Sequence, residues 1–338
     1  MTVPATSARP IPTRPKGRPP ARERLRSRSP AHLEGLARSA VESGWWTGVH
    51  RDMLDLVFHA GVMTLEQIAR LFYAERPNPP RRAQTDARRL FKAHLLDYTA
   101  GVSAVLDDLG LPPSKAVCLG RAGTWLVANQ NDLVAQALPG VGAESRAGRS
   151  PRAAPMRHRA WSVLRPAYLA HNLMLAELVV RVLQRDGAVQ FAGELASSLS
   201  RAKKVTIGRQ VRTVPRSLLR PDGLFRFPNG AVALIEVERA RRYDFQRVLE
   251  KVRRYDEVRR GQQALWRGRW RVEAFPPVLV LALNAERHVE RLREEAGGNR
   301  VGFLFRAWDD FLRGDDPLDG WRLWSDGRVV RVGRQALA

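Results

Sequence analysis

Three carboxylates in one stretch of the chain have the types and the spacing of a metal site. Asp222 lies fourteen residues before Glu236, and Glu238 follows Glu236 after one intervening residue. The residues between them read as two strands joined by the turn sequence PNG at 228–230. Because side chains alternate along a strand, Glu236 and Glu238 share one face, and Asp222 can approach them from the partner strand. Carboxylates gathered in this way repel one another unless a cation lies among them. The pattern therefore predicts a Mg²⁺ site, which Mn²⁺ could also fill, formed by Asp222, Glu236 and Glu238.

The arginines that follow offer the two glutamates a simpler role. Glu236 and Glu238 can form ion pairs with Arg239, Arg241 or Arg242. Exposed pairs of this kind are common and contribute little stability. A metal site and surface ion pairs are both open at this point.

The charge of the whole chain points to a polyanionic partner. Its 57 Lys and Arg residues against 34 Asp and Glu residues give a formal net charge of +23, which indicates nucleic acid. Together with the helix order given below, the expected partner is double-stranded DNA. We find no apolar run of the roughly 18 residues that a membrane helix needs, and no signal peptide. A single cysteine, Cys118, excludes an intrachain disulfide and fits a reducing compartment. We expect a cytoplasmic protein with no membrane partner.

The elements that must position these residues fall into two predicted domains. Residues 1–47 are basic and rich in proline, most strongly so over the first 31, and are expected to be a disordered arm. Residues 48–138 have helical patterns and form the expected DNA-binding domain. Residues 139–160 are a linker rich in Gly, Pro, Ser and Arg. Residues 161–338 alternate helix and strand signals, which predicts a mixed sheet flanked by helices and an α/β (α+β) fold.

The helical patterns of the first domain have the order of a winged helix-turn-helix. A helix from Val49 ends at Gly61, and Thr64 with Gln67 forms a capping box that starts the second helix. A third helix from about 81 to 96 and a strand over 116–119 complete the order, which predicts that the third helix contacts DNA. A small helical domain whose third helix is merely solvated is the alternative. The predicted DNA-binding residues are Arg81, Arg82, Gln84, Thr85, Arg88, Arg89 and Lys92.

The second domain is predicted from its apolar periodicity. Helices are expected over about 166–185, 243–260 and 285–296, and strands over 189–191, 278–283 and 301–305, besides the two strands that carry the carboxylates. Residues 193–220 show no pattern that assigns them to an element. The order is that of a mixed sheet with helices on both faces.

This layout resembles the PD-(D/E)xK nuclease superfamily, whose core is a helix, a three-stranded meander, a helix and a strand. The matching pieces are Pro221-Asp222 and Glu236-Val237-Glu238, with Glu177 from the preceding helix. More narrowly, residues 48–310 resemble the replication-relaxation family of actinobacterial plasmids and mobile elements, which pairs a winged helix with a nuclease-like domain. The segments that carry the resemblance are, in order, TLEQIARLF, CLGRAGTWLV, HNLMLAE, RPDGLFRF, IEVERARR and KVRRYDEV.

One departure from the superfamily pattern bears on catalysis. The signature lysine, which orients the attacking water and offsets developing charge, should occupy position 238, where this chain has Glu238. Glu238 can take part in holding Mg²⁺, Lys251 or Arg241 from the next helix can supply the base, or catalysis can be lost and DNA binding retained. The catalytic set that the resemblance implies is Glu177, Asp222, Glu236, Glu238 and Lys251.

Together these features predict a DNA-binding protein that acts in plasmid or mobile-element replication or mobilisation and carries a nuclease-like second domain. An active Mg²⁺-dependent DNA endonuclease is one alternative. A transcriptional regulator whose second domain only mediates assembly is another. Other replication or mobilisation proteins are expected as partners.

Overall fold

The computed structural model describes residues 30–130, 166–207, 210–239, 245–283, 290, 301–325 and 327–332. The predicted linker 139–160, the first 29 residues of the predicted arm and, apart from residue 290, the helix predicted over 285–296 lie outside them. Within the described ranges no helix combines the length and the apolar character needed to cross a bilayer. The chain is a mixed α/β structure: helices around a small antiparallel sheet, followed by a seven-stranded mixed sheet with helices.

The first half builds its small sheet from strands in the order β1-β3-β2, all antiparallel. Its strands are β1 (Val62–Thr64), β2 (Leu96–Thr99) and β3 (Ala116–Leu119). Its helices are α1 (Pro30–Val41), α2 (Gly48–Ala60), α3 (Leu65–Phe72), α4 (Pro79–Lys92), α5 (Val102–Asp108) and α6 (Arg121–Gln130).

Most of the predicted signals of this half are confirmed. Gly61 ends α2 with φ 84°, and the hydroxyl of Thr64 accepts from the backbone N–H of Gln67 in the predicted capping box. The third helix, α4, begins slightly earlier than predicted and ends at Lys92, because the chain turns at His94 with φ 59° and then enters β2. Helix α5, between β2 and β3, was not predicted.

Helix α1 corrects the predicted extent of the disordered arm. The prediction assigned all of 1–47 to the arm, yet Leu33, Ala37 and Ala40 are buried. Their spacing places them along one face of a helix, and α1 packs that face against α6. Within the described residues, an ordered helix therefore occupies part of the segment predicted to be disordered.

Two glycines let α6 lie directly on the chain that leads into β2. A Cβ atom at Gly120 would meet the carbonyl oxygen of His94, and one at Gly123 would meet that of Leu95. These are backbone atoms that cannot swing aside. The GRAG segment, residues 120–123, therefore allows close backbone packing at the start of α6.

The second half contains the large sheet and one separate hairpin. The sheet order is β12-β11-β10-β9-β8-β7-β4, with β8, β9 and β10 parallel and the other neighbours antiparallel. Strands β5 and β6 form a two-stranded sheet of their own. The strands are β4 (Gln190–Gly193), β5 (Leu199–Ile207), β6 (Gln210–Leu219), β7 (Gly223–Arg226), β8 (Val232–Glu238), β9 (Val278–Ala282), β10 (Phe303–Ala307), β11 (Trp321–Leu323) and β12 (Val329–Val330). The helices are α7 (Pro166–Arg185), α8 (Glu194–Ser197), α9 (Phe245–Gly261), α10 (Gln263–Trp270) and α11 (Trp308–Arg313).

Alternate residues of β8 pack into two different hydrophobic clusters. Ile235 and Val237 join a cluster that includes α7 and the core of the first half. Leu234 joins a second cluster with α9 and α10, in which Trp266 and Trp270 are buried. Because the first cluster contains residues from both halves, the two halves share one continuous core.

Candidate functional site

The backbone holds Asp222 beside the end of β8. A turn with Gly230 at φ 82° sets β7 antiparallel to β8. The Asp222 N–H donates to the carbonyl of Ile235 at 2.9 Å, and the Val237 N–H donates to Asp222 Oδ2 at 2.8 Å. The predicted approach of Asp222 to the strand that carries Glu236 is present in the structure.

Glu236 is a buried carboxylate with a donor on each oxygen. Lys251 Nζ donates to Oε2 at 2.8 Å, and the Tyr255 hydroxyl donates to Oε1 at 2.5 Å. Lys251 and Tyr255 are four residues apart on α9, so they lie on one face of that helix. Burial, together with the charge of Asp222, raises the pKa of Glu236, while Lys251 and Tyr255 act in the opposite direction.

Lys251 is the cation at the centre of the site. Its Nζ also lies 3.8 Å from Glu238 Oε2, and its side chain is 37% exposed. Burial alone would lower the pKa of Lys251, but the charges of Glu236 and Asp222 raise it, so the ammonium stays charged. Of the arginines considered as partners for Glu236 and Glu238, two lie at 241 and 242, outside the described residues. A small pocket beside the glutamates is lined by Val248, Val252, Val280, Phe303 and Phe305.

His171 is a site residue that the sequence reasoning passed over. Its Nε2 lies 3.0 Å from Asp222 Oδ2. Burial would lower the pKa of His171, but the neighbouring Asp222 carboxylate raises it overall. Burial would likewise raise the pKa of Asp222, yet His171, Lys251 and the Val237 N–H lower it. Helix α7 therefore contributes an imidazole to this end of the sheet.

Glu177, predicted from the resemblance as a further catalytic carboxylate, is held elsewhere. It is 2% exposed and accepts hydrogen bonds from Gln67 Nε2 at 3.0 Å, Arg70 Nη2 at 2.5 Å and Arg181 Nε at 3.0 Å. Burial would raise its pKa, but these donors lower it. Glu177 lies six residues, about 240° of helical rotation, beyond His171, so the two cannot reach the same partner. Glu177 therefore lies at the junction between the two halves, where it contacts α3.

The metal-ligand prediction stays a prediction, and the structure brings two of its three residues, Asp222 and Glu236, close together. In the part of the chain that the structure describes, no three His, Cys, Asp or Glu side chains gather as a metal site. Mg²⁺, however, usually keeps several waters and uses one or two protein carboxylates together with substrate phosphates. Asp222 and Glu236 are near enough that the charge of one raises the pKa of the other. The pair fits a Mg²⁺ ion in donor chemistry, whereas Glu238 is directed towards Lys251.

A second candidate site is the outer face of α4. Asp86, on the inner face, is buried and accepts from the Tyr73 hydroxyl at 2.8 Å and from Arg89 Nη1 at 3.3 Å. The Asn78 side chain caps the helix start by accepting from the backbone of Arg81. Gln84 and Thr85 are half-buried, and the Thr85 hydroxyl donates to the carbonyl of Arg81. The exposed cations of the helix are Arg81, Arg82, Arg88, Arg89 and Lys92.

Comparison with known proteins identifies the family of this chain. The family model described as Replication-relaxation matches residues 54–269, well over half of the sequence. The matched range contains α3, α4, Asp222, Glu236 and Lys251. No curated protein and no solved structure matches the chain at a significant level. The chain belongs to the replication-relaxation family, and that membership implies a role in replication.

Proposed function

We propose that this protein binds double-stranded DNA during plasmid or mobile-element replication or mobilisation, with its first half acting as a winged helix-turn-helix. The observation that carries the proposal is the row of exposed cations on α4. Asp86 and Tyr73 fasten the opposite face of that helix to the core, so the cations are presented outward. The major groove of B-DNA admits an α-helix, and Arg and Lys contact both phosphates and guanine edges there.

The test is the salt dependence of DNA affinity. Removing a cation that neutralises one phosphate flattens the slope of log K against log salt by about 0.9. Arg88→Ala/Arg89→Ala should therefore weaken binding and flatten the slope by up to about 1.8. Arg313→Ala/Arg331→Ala removes the same charge from exposed positions outside α4 and should leave the slope nearly unchanged. A wild-type protein with no affinity for duplex DNA at low salt would overturn the proposal.

A second candidate function is Mg²⁺-dependent DNA cleavage in the second half, and one contact favours it. Lys251 reaches Glu236 from α9 and so can supply the cation that the nuclease pattern places at 238. Asp222 and Glu236 would hold Mg²⁺, which offsets negative charge on the phosphate. His171 fixes Asp222, Tyr255 fixes Glu236, and the Lys251 ammonium offers further charge to a phosphate at the mouth of the site.

Cleavage and metal binding are tested separately. If Asp222 and Glu236 bind a cation only in the folded state, Mg²⁺ or Mn²⁺ should raise the melting temperature, and Asp222→Asn should abolish that rise. Exposed Asp309 provides the control, because Asp309→Asn should keep it. Supercoiled plasmid should be nicked with Mg²⁺, and Asp222→Asn or Lys251→Met should prevent nicking. If neither nicking nor a thermal shift occurs in the wild type, the second half has no metal-dependent activity and DNA binding stands alone.

A further inference from the structure

The β5–β6 hairpin forms a sheet separate from the main one. Its strands have nine and ten residues and pair antiparallel along their length. At about 3.3 Å per residue, a ribbon of this kind extends roughly 30 Å. The proposed function gives it no task.

The composition of this hairpin is one-sided. Between Glu194 and Asp222 the sequence has no acidic residue. The pairing places one pair of cations, Arg201 and Arg216, directly opposite each other. Like charges at directly opposite positions destabilise a ribbon, so neither stability nor solubility accounts for the pattern, since a merely solvated surface carries both signs. The basic residues of this stretch are Arg201, Lys203, Lys204, Arg209, Arg212, Arg216 and Arg220.

The base of the hairpin is firmly anchored. Leu199 and Leu219 are buried in the cluster that also contains α9 and α10. Arg254 of α9 donates to the carbonyls of Ser217 and Leu218, at 2.9 Å and 2.5 Å. Cations on the ribbon therefore have a fixed point of attachment to the body of the protein.

The anchor lies next to the carboxylate site. Leu219 is three residues before Asp222, a span of at most about 11 Å. On α9, Arg254, which holds the hairpin base, is one turn from Lys251, which holds Glu236. The base of the ribbon is therefore a neighbour of the carboxylate site both along the sequence and along α9.

We propose that the β5–β6 hairpin is a second DNA-binding element, which contacts the phosphate backbone of duplex DNA and directs it to the carboxylate site. A two-stranded ribbon fits the major groove, as a helix does. The inference rests on the proposed DNA binding, but it concerns a surface separate from α4. Duplex DNA is favoured over an anionic membrane, whose headgroups also carry phosphate, because the family of this chain implies a role in replication.

The first test compares two variants that lose equal charge. Lys203→Ala/Lys204→Ala/Arg212→Ala alters the hairpin, and Arg313→Ala/Arg322→Ala/Arg331→Ala alters exposed positions elsewhere. On a duplex oligonucleotide the hairpin variant should flatten the salt slope by up to about 2.7, at about 0.9 per phosphate, while the control stays near the wild type. The variant Lys203→Arg/Lys204→Arg/Arg212→Lys exchanges each cation for the other type and should retain affinity. It shows whether the loss of affinity in the alanine variant comes from lost charge or from misfolding.

The second test places a photo-cross-linker on the ribbon. The only cysteine, Cys118, is buried, so Thr206→Cys can be labelled selectively. Thr206→Cys should cross-link to duplex DNA, and Ser325→Cys, at an exposed position, should not. Equal salt slopes in the hairpin and control variants, or cross-linking confined to single-stranded DNA or anionic vesicles, would overturn the inference while DNA binding through α4 stands. Absence of any DNA affinity in the wild type would instead overturn the proposed function.

Discussion

Replacing Lys251 with Met should show how much the stability of the fold depends on the ion pair between Lys251 and the buried carboxylate of Glu236. Glu236 is 3% exposed, and Lys251 supplies one of its two hydrogen bonds. Breaking a buried ion pair by removing one partner typically costs about 3–5 kcal/mol. Because the Lys251 side chain is 37% exposed, water screens the pair, and we expect a loss of about 1–3 kcal/mol near pH 8.

The same change should make stability depend on pH in one direction. The folded-state pKa of Glu236 is already raised, and Lys251 is among the groups that hold it down, so the variant raises it further. When the pKa of a carboxyl is higher in the folded state than in the unfolded state, the free energy of unfolding falls as pH rises through the folded-state pKa. Each further unit of pKa shift is worth about 1.4 kcal/mol. The Lys251→Met variant should therefore be closest to the wild type near pH 5 and furthest from it near pH 8.

Urea unfolding followed by tryptophan fluorescence at both pH values measures the effect. Lys251→Arg keeps a cation and should lose less. Glu236→Gln/Lys251→Met removes both charges, so it should recover much of the lost stability, and the part of the pH dependence that comes from Glu236 should vanish. If Lys251→Met is equally destabilised at both pH values, or if the double variant recovers nothing, the pairing of Lys251 with Glu236 does not govern the site.

Two further predictions concern the junction and the first helix. Glu177→Ala should lower the melting temperature of both halves in a single transition, because it removes the buried carboxylate that accepts from Gln67, Arg70 and Arg181. Glu177→Gln should lower it less, and two separate transitions in the wild type would contradict this. Deletion of residues 1–29 should leave the melting temperature nearly unchanged, while deletion of 1–41 should lower it by removing the buried face of α1; equal effects of the two deletions, measured by thermal denaturation, would contradict the burial.

Local patterns were enough to predict much of the fold and part of the site. The capping box at Thr64, the strand pair around the turn at 228–230 and the approach of Asp222 to β8 all depend on neighbours in sequence. Which of His171 and Glu177 contacts Asp222 does not depend on neighbours in sequence. Both lie on α7, and only the packing of that helix against β8 and α3 decides which one meets Asp222.

Strands β5 and β6 and helix α1 escaped prediction because basic residues dominate the sequence in or before them. Leu199 and Leu219 are buried at the base of the ribbon, and the sequence between them mixes cations with apolar residues without a sustained period of two. Helix α1 follows a segment rich in Pro and Arg, and its buried residues Leu33, Ala37 and Ala40 are recognised as a core face only because α6 packs against them. Lys251 was one of the two cations that the sequence offered as a base, and the packing of α9 brings it to Glu236, while Arg241 lies outside the described residues.

The shared core gives the molecule a fixed internal geometry. Gly193 of β4 lies so close to the end of α2 that a Cβ atom there would meet the carbonyl of His59, and Glu177 fastens α3 to α7. The two halves meet through packed side chains, whatever the length of the segment between them. If α4 binds DNA, the shared core keeps the carboxylates at a constant distance from α4, and therefore at a constant distance along the duplex from the site that α4 contacts. Lengthening residues 139–160 should leave that distance unchanged. A substitution at Gly193 that disturbs its packing against His59 should make the distance variable.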